Sequence, residues 1–106
     1  MTGPDPTPHG TPSGWSLVTG PGVDDVLLDM LKSGEAGETL CRSVLRFLRA
    51  LTLEAGAAVT AGREPPGVRL SDGRLSLVIP REPVLVSYVV LPDHRELRLS
   101  DVVWMA

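Results

Sequence analysis

The chain has 106 residues, ten of them Lys or Arg and thirteen Asp or Glu, with a formal net charge of −3. This length allows one domain at most, and the slight acidic excess argues against a broad electrostatic grip on nucleic acid. Its single cysteine, Cys41, excludes an intramolecular disulfide and a cysteine zinc cluster. The sequence shows no signal peptide and no apolar run of membrane-spanning length, so we expect a cytoplasmic protein without a membrane partner.

Residues 1–14, MTGPDPTPHGTPSG, contain four Pro, three Gly and almost no apolar residue. Such a segment cannot bury enough apolar surface to offset the entropy lost on ordering, so we predict a disordered tail. His9 lies in this tail without neighbouring ligands and predicts no metal site. Residues 15–106 are then expected to form one α+β domain.

The next two segments predict a strand and a helix. WSLVT, residues 15–19, alternates Trp15, Leu17 and Thr19 with two other residues and predicts a short strand. PGVDDVLLDMLKS, residues 21–33, has apolar residues at the spacing of one helical face, with Pro in the first turn and Gly34 after the end. Its acidic pair suits the positive end of the helix dipole, which explains the pair without a catalytic role.

A second helix is predicted from about Glu38 to Gly56. Arg42, Arg46 and Arg49 recur at i, i+4 and i+7 and therefore form a basic ridge along it. A solvated charged face explains this ridge, and a docking ridge for an acidic partner or a phosphate backbone is the alternative. Cys41 falls on the apolar stripe, so we interpret it as an inert core thiol.

After a Gly/Pro loop over residues 56–67 the pattern becomes that of strands. VRLSDGRLSLVIP contains Asp72-Gly73 between two apolar runs, which predicts a hairpin with a type I′ turn. VLVSYVVL, residues 84–91, is apolar on both faces and predicts a central strand covered by helices on at least one side. A turn over residues 92–95 leads to ELRLSDVVWM, in which Trp104 either closes the core or lies exposed for a partner.

The order of elements predicts an α+β fold. We expect a short N-terminal strand, two helices and then a three- to four-stranded antiparallel sheet, with the helices packed on one face.

In size and order these elements resemble the RelE/ParE toxin superfamily of type II toxin–antitoxin systems. The resemblance covers residues 15–104 and is carried by PGVDDVLLDMLKSG, by VRLSDGRLSLVIP, by VLVSYVV and by ELRLSDVVW. It implies a toxin held by an antitoxin. RelE-like members cut mRNA on the ribosome and ParE-like members poison DNA gyrase, so the implied target is the ribosome with its mRNA, or gyrase.

The resemblance also implies a set of catalytic residues. Cleaving members use basic side chains on the sheet to stabilise the phosphate and a further side chain to assist proton transfer. The residues that match or replace those positions are Arg74, Arg81, Tyr88 and Arg98. Their alternative explanation is structural, with Tyr88 in the core and the arginines on the surface.

The sequence departs from the family at two basic positions. Val78 and Leu85 stand where the family has arginines, and no basic residue follows Arg98. These departures leave open whether the chain is an enzyme, a degenerate toxin or a toxin of another kind.

The second hypothesis is a non-enzymatic binding module or a subunit of a larger assembly, either as a homodimer or with another protein. Its candidate partner-binding residues are Arg42, Arg46, Arg49 and Trp104. We find no GxGxxG, Walker or HExxH motif and no cluster of His, Cys and carboxylates, so no cofactor or metal is predicted.

Overall fold

The computed structural model describes residues 14–105, and the predicted tail therefore lies outside the described residues except for Gly14. Two helices follow the first strand: α1 (Pro21–Lys32) and α2 (Gly34–Thr60). Five strands form one sheet: β1 (Ser16–Thr19), β2 (Val68–Arg69), β3 (Leu75–Val78), β4 (Val84–Leu91) and β5 (Glu96–Trp104). The predicted α+β class and the predicted order of elements are confirmed.

The sheet is mixed: the four strands after the helices pair antiparallel, within the predicted three to four, and the N-terminal strand β1 adds a fifth. Its strand order is β1-β5-β4-β3-β2, and β4 is the middle strand, as the two-sided apolar pattern of residues 84–91 predicted. The prediction of an antiparallel sheet was wrong for β1, which pairs with β5 in parallel, with Leu17 opposite Leu97. Alternation within a strand shows which residues share a face, but the direction of a partner strand depends on where the helices return the chain.

Helix α1 agrees with its predicted range, whereas α2 is longer than predicted at both ends. Gly34 has a φ of +85°, which ends α1 and changes the direction of the chain. Helix α2 begins at the same residue. Gly37 lies inside α2 because a β-carbon there would come within 2.1 Å of the Met30 carbonyl oxygen of α1. At the other end, Ala57, Ala58 and Val59 continue the helix past Gly56. Neither helix among residues 14–105 is long and apolar enough to cross a membrane.

The core lies between the helices and one face of the sheet. The largest fully buried side chains come from both layers: Val23, Met30, Val44, Leu48, Thr52, Val84, Val86, Tyr88, Leu97 and Leu99. Trp15 is also buried, and its indole ring lies against Gly56 of α2, where a β-carbon would come within 2.7 Å of the ring. Both helices therefore pack on the same face, as predicted, and they leave the opposite face of the sheet uncovered.

The hairpin between β2 and β3 is present where predicted, but its turn is of another type. Gly73 N–H donates to the Leu70 carbonyl at 3.0 Å, and Leu70 N–H donates to the Arg74 carbonyl at 2.7 Å. Among residues 70–74 only Gly73 has a positive φ, of +92°. This is the pattern of a type I turn followed by a left-handed glycine, and not the predicted type I′ turn, in which Asp72 would also need a positive φ.

We expect two helical glycines to respond in opposite directions to alanine. Gly37→Ala should lower the free energy of unfolding by about 1–3 kcal/mol, because its new methyl group meets backbone. Gly22→Ala in α1 should raise it by up to about 1 kcal/mol, since nothing lies within 4 Å of its β-carbon position. Urea unfolding of both variants measures the contrast, and equal effects would contradict the close contact of α1 with α2.

Candidate functional site

The open face of the sheet carries two of the predicted catalytic arginines. The register places Arg98 of β5 opposite Val89 of β4, while Leu75 lies opposite Tyr88. Because side chains alternate along a strand, Arg74, Val89 and Arg98 share the face that the helices do not cover. Arg74 and Arg98 therefore lie on either side of the middle strand.

Arg74 is held by two carboxylates. Its Nε lies 2.7 Å from Asp72 Oδ2, and its Nη1 forms an ion pair with Asp101. The backbone N–H of Arg74 also donates to Asp72, and this bond together with the guanidinium holds the pKa of the Asp72 carboxyl below its usual value. The positive charge of Arg74 is thus already neutralised within the chain.

Arg98 is likewise paired. Its Nη2 lies 2.8 Å from Glu96 Oε1 on the same strand. Arg69, beside the Gly/Pro loop, makes a third such pair, with its Nη2 2.5 Å from Glu64 Oε1. Three of the arginines on or beside the sheet therefore have acidic partners that an incoming phosphate would have to displace.

Arg81 lies at a different place, in the turn between β3 and β4. Glu82 N–H donates to the Ile79 carbonyl at 3.1 Å, and Pro80 and Arg81 occupy the two central positions. Arg81 has a φ of +70°, a value that a type II turn requires at this position and that glycine usually supplies. Its side chain is exposed and forms no ion pair within residues 14–105.

Tyr88 lies on the covered face, fully buried, and its hydroxyl donates to the Pro66 carbonyl at 2.6 Å. Burial, reinforced by the nearby carboxylate of Glu54, raises its pKa to about 12. The hydrogen bond of this buried, protonated phenol connects β4 to the loop that follows α2. The four residues predicted to be catalytic are therefore not brought together: Arg74 and Arg98 share the open face, Arg81 lies in a turn and Tyr88 faces the core.

The predicted basic ridge is present on the outer side of α2. Arg42 makes an exposed i,i+4 pair with Glu38 at 3.4 Å. Arg46 and Arg49 are exposed and have no carboxylate partner in the part of the chain that the structure describes. Leu45 and Leu53, exposed to 44% and 41%, lie among them. The ridge thus combines unpaired positive charge with accessible apolar surface.

Trp104, the remaining predicted partner-binding residue, is partly buried. It pairs with Val84 on β4 and packs against the edge of the core. Because it lies on the face that the helices cover, it is not part of the outward surface of α2. Cys41 is buried, which raises the pKa of its thiol, as expected for an inert core residue.

The sequence pattern did not lead us to predict that the open face of the sheet exposes apolar side chains. Val78 and Val103 are about half exposed there, and Leu85 lies between them on β4. The signal was the two-sided apolar pattern of residues 84–91, which we interpreted only as evidence for a central strand. Within residues 14–105 no group of three His, Cys, Asp or Glu side chains is placed to hold a metal ion.

Comparison with known proteins identifies no relative of this chain. No protein-family profile, no curated protein and no solved structure matches the chain.

The buried phenol predicts a loss of stability at alkaline pH. Since the pKa of Tyr88 is about 12 in the folded chain and about 10 when unfolded, its contribution is complete below pH 10 and is lost as the pH rises towards 12. Tyr88→Phe should lower the free energy of unfolding by about 1 kcal/mol at neutral pH and reduce this alkaline loss.

The experiment has a direct readout, because Tyr88 is the only tyrosine of the chain. Near-ultraviolet absorbance follows the appearance of tyrosinate in the folded protein, and urea unfolding at pH 9 and pH 11 follows stability. Titration of the folded chain near the value of free tyrosine would contradict the buried, hydrogen-bonded placement.

Proposed function

We propose that this chain is a non-enzymatic protein-binding module, and that the outer side of α2 receives an acidic partner. The observation that carries the proposal is the surface formed by Arg46 and Arg49. Both are exposed on α2 without a carboxylate partner within the described residues, and they lie beside the exposed Leu45 and Leu53.

The ridge has the chemistry of a recognition surface. Arg46 and Arg49 are one helical turn apart, so their guanidinium groups can engage two carboxylates of one partner segment. Leu45 and Leu53 add exposed apolar surface, which a partner would remove from water. A partner helix with alternating acidic and apolar positions matches both properties.

The arrangement of the other candidates favours binding over catalysis. Phosphate cleavage requires positive charge and a proton-transferring group at one place. Here Tyr88 faces the core with its pKa raised to about 12, and Arg74 and Arg98 are neutralised on the other face.

Charge reversal on the ridge tests the proposal. The tagged chain and the variant Arg46→Glu/Arg49→Glu are used to capture proteins from the native cell extract, with Arg63→Glu/Arg81→Glu as a control of equal charge. We expect an acidic partner whose affinity falls at least about tenfold in the ridge variant and falls with added salt. Equal retention by the ridge variant and the wild type would reject the ridge as the binding surface.

A RelE/ParE-like toxin is the second candidate function. The observation that favours it is the order of elements, in which a strand and two helices precede the remaining strands of the sheet, as the resemblance implied. On this hypothesis an antitoxin binds and holds the chain. The target is either translation on the ribosome or DNA gyrase.

Controlled expression of residues 1–106 in a bacterial host tests this candidate. A toxin is expected to arrest growth, and amino-acid incorporation should fall before DNA synthesis if translation is its target. Arg81→Ala/Arg98→Ala should then relieve the arrest, while Arg46→Ala/Arg49→Ala serves as a matched control. Normal growth with well-expressed folded protein would contradict an active toxin.

A further inference from the structure

The outer side of α1 carries charges opposite to those of the basic ridge on α2. Asp25 and Asp29 lie one helical turn apart and are both exposed, and Leu28 between them is 49% exposed. None of the ion pairs among residues 14–105 includes either aspartate. Helix α1 therefore has the acidic and apolar positions that the ridge requires of a partner helix.

These two surfaces do not meet within one chain. Both helices pack on the same face of the sheet, so their exposed residues point away from it side by side. Among the described residues no ion pair joins α1 to α2. A second copy of the chain can bring the two surfaces face to face.

A twofold axis between α1 and α2, parallel to both, achieves this contact. The two helices are joined by Ser33 alone and pack along each other, so they run in opposite directions. A half turn about this axis keeps every residue at its own height along the helices. Helix α1 of the second copy then lies over α2 and antiparallel to it, and the four helices form a bundle of the usual kind.

The contact between Met30 and Gly37 determines which residues lie at equal heights. The Met30 carbonyl points towards the C-terminus of α1, so Gly37 lies beside the residue after Met30. Each helical side chain also leans by about one residue towards the N-terminus of its own helix. Side chains that meet across the interface therefore have residue numbers that add up to about 70.

Three pairs of opposite charge meet this condition. They are Asp25 with Arg46, Asp29 with Arg42, and Lys32 with Glu38. Along α1 the order of charge is acidic, acidic, basic, and the antiparallel α2 presents basic, basic, acidic. Leu28 and Leu45, exposed to 49% and 44%, lie between these pairs and add apolar contact.

The ion pair that α2 already contains is compatible with this contact. Arg42 and Glu38 are 3.4 Å apart, and both side chains are more than half exposed, so the pair contributes little by itself. In the dimer Arg42 also faces Asp29 of the second copy, and Glu38 faces Lys32. Each charge thus gains a second partner, and the isolated pair becomes part of a network.

The size of the contact indicates a weak association. Helix α1 has twelve residues, so the region in which both helices overlap is about 18 Å long and about 20 Å wide. A footprint of roughly 360 Å² per copy is that of a transient complex. Charge complementarity must therefore determine its specificity.

We propose that the acidic partner of the ridge is α1 of a second copy, and that the chain forms a weak homodimer through its helical layer. The inference rests on the proposed function, because it identifies the partner that the ridge binds. The contact is isologous, since α1 of each copy meets α2 of the other.

Sedimentation equilibrium of the full chain at low salt tests the dimer. We expect reversible association with a dissociation constant of roughly 10–100 μM, which rises as salt screens the charge pairs. Asp25→Arg/Asp29→Arg and Arg42→Glu/Arg46→Glu should each raise that constant at least about tenfold, because each places like charges against each other. Arg63→Glu/Arg81→Glu, which changes charge outside the helical layer, should leave the dimer intact.

Mixing the two interface variants provides the decisive result. In a mixed dimer every substituted arginine meets a substituted glutamate, and the unchanged aspartates of one copy meet the unchanged arginines of the other. The mixture should therefore associate nearly as tightly as the wild type, which also shows that both variants are folded. A wild-type monomer at every concentration, or no recovery of association in the mixture, would overturn the proposal.

Capture from the native cell extract separates this inference from the proposed function. An acidic protein that binds the wild type and Asp25→Arg/Asp29→Arg equally, and binds Arg46→Glu/Arg49→Glu poorly, would keep the ridge as a binding surface and reject the second copy as its partner. Undiminished capture by Arg46→Glu/Arg49→Glu would instead reject the ridge itself.

Discussion

The rest of the structure depends on the packing of one helical layer on one face of a sheet whose middle strand is apolar on both sides. Val84, Val86 and Tyr88 of β4 are fully buried beneath the helices. Leu85 and Val89 of the same strand point the other way and are only partly covered. Because the two helices cover only one face, the opposite face with its partly exposed apolar residues is a direct consequence of this architecture.

Close backbone contacts hold the helical layer in position. Gly37 lets α2 approach the Met30 carbonyl of α1, and Gly56 receives the ring of Trp15 from the start of the chain's first strand. The hydroxyl of Tyr88 then ties β4 to the loop after α2 through the Pro66 carbonyl. These three contacts link both helices and the sheet, so substitutions at these positions act on the whole domain and not on one element.

The surface has regions where arginines are paired with carboxylates and regions where they are not. The arginines of the open sheet face at positions 74 and 98 are neutralised locally by carboxylates. Arg46 and Arg49 of α2 are free within the described residues, although the whole chain carries a net charge of −3. Local charge, and not net charge, therefore decides where an acidic partner would bind.

The sequence by itself determined the two helices, the three longer strands that follow them apart from their exact ends, and the exposed ridge of arginines on α2. These features follow from the periodicity of apolar and charged residues. Helix or strand geometry alone decides which residues share a face. The tertiary structure alone decided that β1 lies parallel to β5, that Tyr88 faces the core and that Arg74 and Arg98 meet carboxylates. Such facts depend on which strand lies beside which and on side chains distant in the sequence, and neither is encoded in a local pattern.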